Sequence, residues 1–253
     1  MRAFDPDPKT RWLFCLTHPD DEVAIGAWIR RLTAAGAEVF LSWTHDTAIR
    51  MKEAFSVADL LGVPKSRLFF HHAPDMQVAE SIPELRISFE KMVHEVRPDR
   101  VACTAFEQGH MDHDATNYLV NKVFKGLVLE FPMYHTYCDR IPVLNRFAQH
   151  EGEEILMLHP EEQSFKVMLA KQYPSQTFWR NVFWYEIWQT FRFQPRELKK
   201  LERMRIQTHK NFLIPHLPPI RSQKVQHSVL WRRWVNLIQQ YESSMSASPS
   251  LKK

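Results

Sequence analysis

A chain of 253 residues, 44% hydrophobic and 25% charged, sits near the globular average and accommodates one α/β catalytic domain with a C-terminal appendage. No apolar run approaches the roughly 18–20 residues needed to span a bilayer, and the stretch from Trp12 to Thr17 is too short for a secretory leader, so a cytoplasmic protein is expected. A formal charge of +4 and three scattered cysteines (Cys15, Cys103, Cys138) without CxxC spacing exclude a disulfide scaffold and predict reduced thiols.

In chain order, apolar strands alternate with amphipathic helices. The pattern predicts a strand over Trp12–Thr17, a helix from about Asp21 to Ala35 closed by Gly36, and a strand over Ala37–Trp43. A helix from about Ile49 to Leu61 follows, stopped by Gly62 and Pro64; then a strand over Arg67–His71, a helix over Ile82–Val96 and a strand over Arg100–Thr104. A helix from about Asp114 to Phe124 and a strand near Leu127–Phe131 complete the series. This alternation predicts a Rossmann-like, doubly wound, mostly parallel sheet.

Beyond residue 150 the signal weakens. Glu161–Lys171 reads as a helix, Phe178–Phe191 is rich in aromatics and is expected to pack on the domain, and three prolines mark 209–220 as an extended connection. A final helix is expected over 224–241, with a disordered end. The predicted division is a catalytic domain over 1–195 and a basic extension over 196–253. The extension holds 12 Lys/Arg against 3 Asp/Glu, whereas residues 1–195 hold 21 against 26. Such a segment suits a peripheral membrane, a subunit contact or plain solvation, with docking on its own domain or a second subunit favoured over the membrane; no nucleic-acid partner is expected.

In doubly wound sheets ligands lie beyond the carboxyl ends of the strands, so the segments after the first and fourth strands should meet at one edge. They are His18-Pro19-Asp20-Asp21-Glu22 and His110-Met111-Asp112-His113-Asp114. A catalytic zinc site takes about three His or carboxylate ligands and leaves a place for water. His18 with Asp21, and His110 with His113, have the spacing to contribute, and a neighbouring carboxylate could take the water's proton. Alone, Asp20-Asp21-Glu22 reads equally well as a helix cap, and spacing leaves open which aspartate and which histidine would bind.

The segment Thr17-His18-Pro19-Asp20-Asp21-Glu22, followed by His110-Met111-Asp112-His113, resembles the paired signatures of the LmbE-like, or PIG-L, family of zinc-dependent N-deacetylases. The resemblance implies His18, Asp21 and His113 as zinc ligands, Asp20 as general base, His110 as the group stabilising the transition state, and Asp112 as its partner. Arg50-Met51-Lys52-Glu53 before Leu61-Gly62 resembles the family's substrate-contacting Arg, implying that role for Arg50, and Lys166 through Tyr173-Pro174-Ser175-Gln176 resembles a later segment. The loop Thr44-His45-Asp46-Thr47 departs from relatives that carry a Gly-Glu pair there. The implied activity is removal of acetyl from an amino-sugar conjugate of the N-acetylglucosamine type. The competing readings are an amidase for another acylated small molecule and a non-catalytic zinc-binding relative. Another divalent metal could replace zinc.

His45, His71, His72 and His135 adjoin strand ends but read as loop or packing residues. Neither HExxH nor GxGxxG occurs, so a dinucleotide cofactor is not expected despite the fold.

Overall fold

The computed structural model describes residues 2–140, 143–191 and 197–247. The alternation is present: β1 (Arg11–Leu16), a 3-10 turn (Asp21–Ala24), α1 (Gly26–Ala34), β2 (Glu38–His45), α2 (Ala48–Leu61), β3 (Leu68–Ala73), α3 (Ile82–Val96), β4 (Arg100–Thr104), α4 (Met111–Val123) and β5 (Leu127–Phe131). A short hairpin of β6 (Tyr134–His135) and β7 (Val143–Leu144) follows. Then come β8 (Glu154–Met157), α5 (Pro160–Ala170), α6 (Phe178–Phe191), β9 (Leu201–Ile206), α7 (Pro219–Gln226) and α8 (Val229–Ala247).

The central sheet has the order β3-β2-β1-β4-β5-β9-β8. β1 to β5 are mutually parallel, while β9 runs antiparallel to both β5 and β8. The order reverses between β1 and β4, which opens the crevice where their following loops meet.

Residue alternation along β1 sets the two layers. Trp12, Phe14 and Leu16 enter a core with Trp28, Ile29 and Leu32 of α1, Val57 and Leu61 of α2, and Leu169 of α5. Leu13 and Cys15 enter the other, with Phe89 of α3, Tyr118 of α4, and Trp231, Trp234 and Ile238 of α8. Cys15, Cys103 and Cys138 are all free thiols.

Three differences from the sequence reading have local causes. The helix after β1 is divided at Ile25, because Asp20 enters the turn at φ +125° and the chain makes a 3-10 turn before α1. The helix after β4 begins at Met111 rather than near Asp114, because the His110 ring caps it, Nδ1 accepting from the Asp112 amide at 3.2 Å. The C-terminal helix reaches Ala247, past the expected 241; the final residues, 248–253, lie outside the described part.

The basic segment packs on its own domain, the arrangement favoured over a membrane contact. The α8 face that would enter a membrane is already covered, with Trp231, Trp234 and Ile238 all at most 4% exposed and Trp234 Nε1 donating to the Phe212 carbonyl at 2.8 Å. Among the described residues no helix is long and apolar enough to cross a membrane. β9, beyond residue 195, is a strand of the central sheet, and its fully buried Glu202 accepts from the Ala27 and Trp28 amides at the start of α1, at 2.9 and 2.8 Å. Lys166 of α5 bridges this carboxylate (3.1 Å) to the Ala24 carbonyl (2.7 Å). β9 and α5 thus fix the turn that leaves β1.

Candidate active site

The loops after β1 and β4 bring His18, Asp20, Asp21, His110 and His113 to the wall of one cavity of about 750 Å³. His18 Nδ1 and His113 Nε2 are 3.2 Å apart, and His113 Nε2 is 3.5 Å from Asp21 Oδ1. The other oxygen of Asp21 is occupied, accepting from the Thr17 and His18 amides at 2.8 and 3.0 Å, so backbone bonds aim the remaining one at His113.

This donor set fits a zinc ion. Ligands held at roughly 2.0–2.2 Å on a tetrahedral ion lie about 3.3–3.5 Å from one another, within about 0.1 Å of both separations. The electrostatics agree: burial and the neighbouring His18 and His110 charges push His113 well below the ordinary histidine value, leaving it neutral with a lone pair to give. Burial also opposes charge on His18, yet hydrogen bonds to Asp112 and Asp75 and the charges of Asp21 and Asp20 outweigh it and raise His18 to about 10. A cluster that forces a proton onto a buried histidine is one that attracts cations.

Asp20 lies beside these groups on the cavity wall. Burial, reinforced by the Asp21 charge, raises its carboxyl to about 7, against the pull of His18 and Arg50. That value suits proton exchange near neutrality. Since His110 Nδ1 accepts from the Asp112 amide, the neutral ring carries its proton on Nε2. Burial and the charge on His18 keep that ring below its ordinary value.

The expected pairing of Asp112 with His110 is not a hydrogen bond here: the nearest approach to His110 Nδ1 is 4.0 Å. Asp112 instead accepts from the Met76 and Val78 amides at 2.8 and 3.3 Å, and lies 3.7 Å from His18 Nε2. It therefore anchors the loop after β3 and faces the outer nitrogen of His18, the position from which a carboxylate orients a ligating ring.

Arg50 lines the cavity; its Nη2 donates to Gln176 Oε1, and its buried Nη1 has no partner among the described residues. Asp75, missed in the sequence, also lines the cavity, 3.5 Å from His18 Nε2, and the hydrogen bond from His18 depresses its carboxyl. Only its place in a loop after β3 could have signalled it. His45 is nearer the site than its loop assignment suggests, its ring centre 5.5 Å from that of His18 and its Nδ1 bonded to the Ala73 carbonyl at 2.8 Å. Asp46 accepts from the His72 amide and ring, tying the ends of β2 and β3. His71 bonds Ser88, and His135 faces Arg221, so neither joins the cavity.

Another group, Glu130, His209 and His216, has metal-ligand proximity. A cation already serves it: Arg205 donates to Glu130 Oε1 at 2.6 Å and lies 3.3 Å from His216 Nδ1.

Residues 13–124 match the family model described as PIG-L, GlcNAc-PI de-N-acetylase. No curated protein matches significantly. Among solved structures, a deacetylase of teicoplanin biosynthesis shares the fold at TM-score 0.61 and 17% identity, over 78% of this chain and 97% of its own. The N,N'-diacetylchitobiose deacetylase of Pyrococcus horikoshii does so at 0.57 and 20%, over 80% and 85%. A conserved protein of Thermus thermophilus gives 0.56 and 16%, over 80% and 96%. At these identities the structural likeness establishes the fold, whereas the matched segment carries both His/Asp signatures. Residues 13–124, a little under half of the chain, thus carry the likeness to the PIG-L (LmbE-like) family.

Proposed function

We propose that the chain is a zinc-dependent N-deacetylase acting on an amino-sugar conjugate of the N-acetylglucosamine type. The observation that carries this reading is the convergence of His18 Nδ1, Asp21 Oδ1 and His113 Nε2 beside Asp20 and His110 on one cavity wall. The family match over 13–124 and deacetylases among the structural neighbours support it.

In this reading His18, Asp21 and His113 hold zinc, which when bound acidifies water and polarises the amide carbonyl. Asp20 takes the proton of the attacking water and can return it to the departing amine. His110, whose neutral ring carries its proton on Nε2, donates to the oxygen that gains charge as the carbonyl becomes tetrahedral. Asp112 holds the β3 loop and the His18 ring in place. Arg50 offers its unpaired Nη1 to a sugar hydroxyl or a neighbouring anionic group.

The test is a panel of N-acetylglucosamine conjugates, free, nucleotide-linked, inositol-linked and alkyl-linked, with released acetate measured. Release from at least one member, abolished by a chelator and restored by zinc, is expected. Release that persists in the metal-free chain would overturn the zinc assignment, and no release from any member would overturn the substrate class.

A further inference from the structure

The Asp20 backbone stands at φ +125°, ψ −18°, a conformation that side-chain-bearing residues rarely adopt and that persists only when neighbours over-determine it. The neighbour in contact is Glu22, whose Oε2 accepts from the Asp20 amide at 3.2 Å and from Trp43 Nε1 at 3.2 Å. Its other oxygen, Oε1, accepts from the Tyr173 hydroxyl. Glu22 is fully buried and Tyr173 is 1% exposed, so water does not replace this hydroxyl if it is removed.

Tyr173 stands just after α5, outside the family-matched segment. The 3-10 turn it introduces, Pro174–Gln176, packs against α2 where Arg50 and Glu53 stand. There Ser175 donates to both oxygens of Glu53, through its amide at 3.0 Å and its hydroxyl at 2.6 Å, and Gln176 receives Arg50.

We propose that Tyr173 is a positioning residue: by fixing the Glu22 carboxylate it holds the Asp20 amide, and with it the strained turn that presents the Asp20 carboxylate to the cavity. The proposal rests on the reading of Asp20 as the base. Tyr173 does not reach the cavity that substrate would fill; it acts through Glu22. The Tyr173 hydroxyl fixes the Oε1 end of the carboxylate; without it Glu22 is free to rotate, and its Oε2 no longer holds the Asp20 amide in one place.

Tyr173→Phe keeps the ring and its packing and removes only the donor. On a substrate that the wild type turns over, kcat is expected to fall roughly tenfold or more, with KM within about twofold and zinc content unchanged. Amide hydrogen exchange at Asp20, followed by NMR, is expected to accelerate roughly tenfold while that of Leu16 in β1 stays unchanged. Trp43→Phe, which leaves the Tyr173–Glu22 bond intact, serves as a control with a smaller effect on both. An unchanged Asp20 amide or an unchanged kcat in Tyr173→Phe would overturn the proposal. A wild-type chain that deacetylates nothing defeats the functional reading alone, and the Asp20 amide still decides whether Tyr173 holds the turn.

Discussion

His18 and His113, 95 positions apart in sequence, face each other through ring nitrogens at 3.2 Å in a buried site, with Asp21 Oδ1 3.5 Å from His113 Nε2. Two imidazole nitrogens so close need a proton or a cation between them. The purified chain is therefore expected to bind about one zinc with all three side chains present. His113→Ala and Asp21→Ala should each leave it far below stoichiometry in metal analysis after dialysis. Full zinc content in either variant would show that the ion sits elsewhere.

Asp20 shares the cavity wall with these groups, but its expected role is proton transfer. Asp20→Asn should retain zinc and lose roughly 10²- to 10⁴-fold in kcat, with a smaller change in KM. Steady-state kinetics beside metal analysis separate the two roles: loss of metal would make Asp20 a ligand, and retained turnover would remove it from the mechanism.

Much of this was legible in the sequence because it was local. Strand and helix alternation up to Phe131, the capping glycine Gly62 at φ +75°, and the two His/Asp segments at strand ends all follow from short-range pattern. What escaped depends on tertiary placement. β8 and β9 are short antiparallel additions whose charged residues, Glu202, Arg203 and Arg205, are buried in ion pairs and hydrogen bonds, so their hydropathy does not mark them as core. Asp112 carried an expected pairing that the fold redirects, because the β3 loop supplies two amides nearer than the His110 ring. Asp75 had no motif around it, His45 sat in the loop that departs from relatives, and Tyr173 lay in a segment whose resemblance assigned it no role; each gained its place only when β1, β2, β3 and α5 converged.

Gly109 offers a test of how tightly the loop after β4 is set. A Cβ at this position would overlap the backbone carbonyl oxygen of Tyr134 rather than a side chain able to rotate away. Gly109→Ala must therefore push the loop away from the β6–β7 hairpin and carry the adjacent His110 with it. The expected result is destabilisation of roughly 1–3 kcal/mol in thermal or denaturant unfolding. A strong loss of turnover should accompany it, since His110 is the next residue. Wild-type stability would mean that the hairpin yields freely.

Acid sensitivity follows from histidines remote from the cavity. Burial lowers His71, His135 and His216 to about 4 and His209 to about 3, with neighbouring positive groups adding to the effect. For His71 the bonding pattern shows why. Ser88 Oγ donates to the Leu85 carbonyl, so His71 Nδ1–H donates to Ser88, and the buried Nε2 has no partner among the described residues to support a second proton. These folded-state values lie below the unfolded value of about 6.5, so as pH falls from about 6.5 toward about 4 the unfolded chain takes up protons that the folded chain refuses, and stability is lost. Glu107, raised to about 8 by burial, works in the opposite sense between about pH 8 and about pH 4.5, because there the folded state keeps a proton the unfolded state releases. Glu22, raised to about 8, and Asp114, raised well above its ordinary value by burial, act in the same sense as Glu107, so the histidine contribution is read as a difference in the acid limb of the melting temperature between wild type and variant. In His71→Gln that acid limb should be shallower, since one proton-refusing site is gone while a side chain able to donate to Ser88 remains. An acid limb of unchanged slope in His71→Gln would show that His71 does not contribute to it.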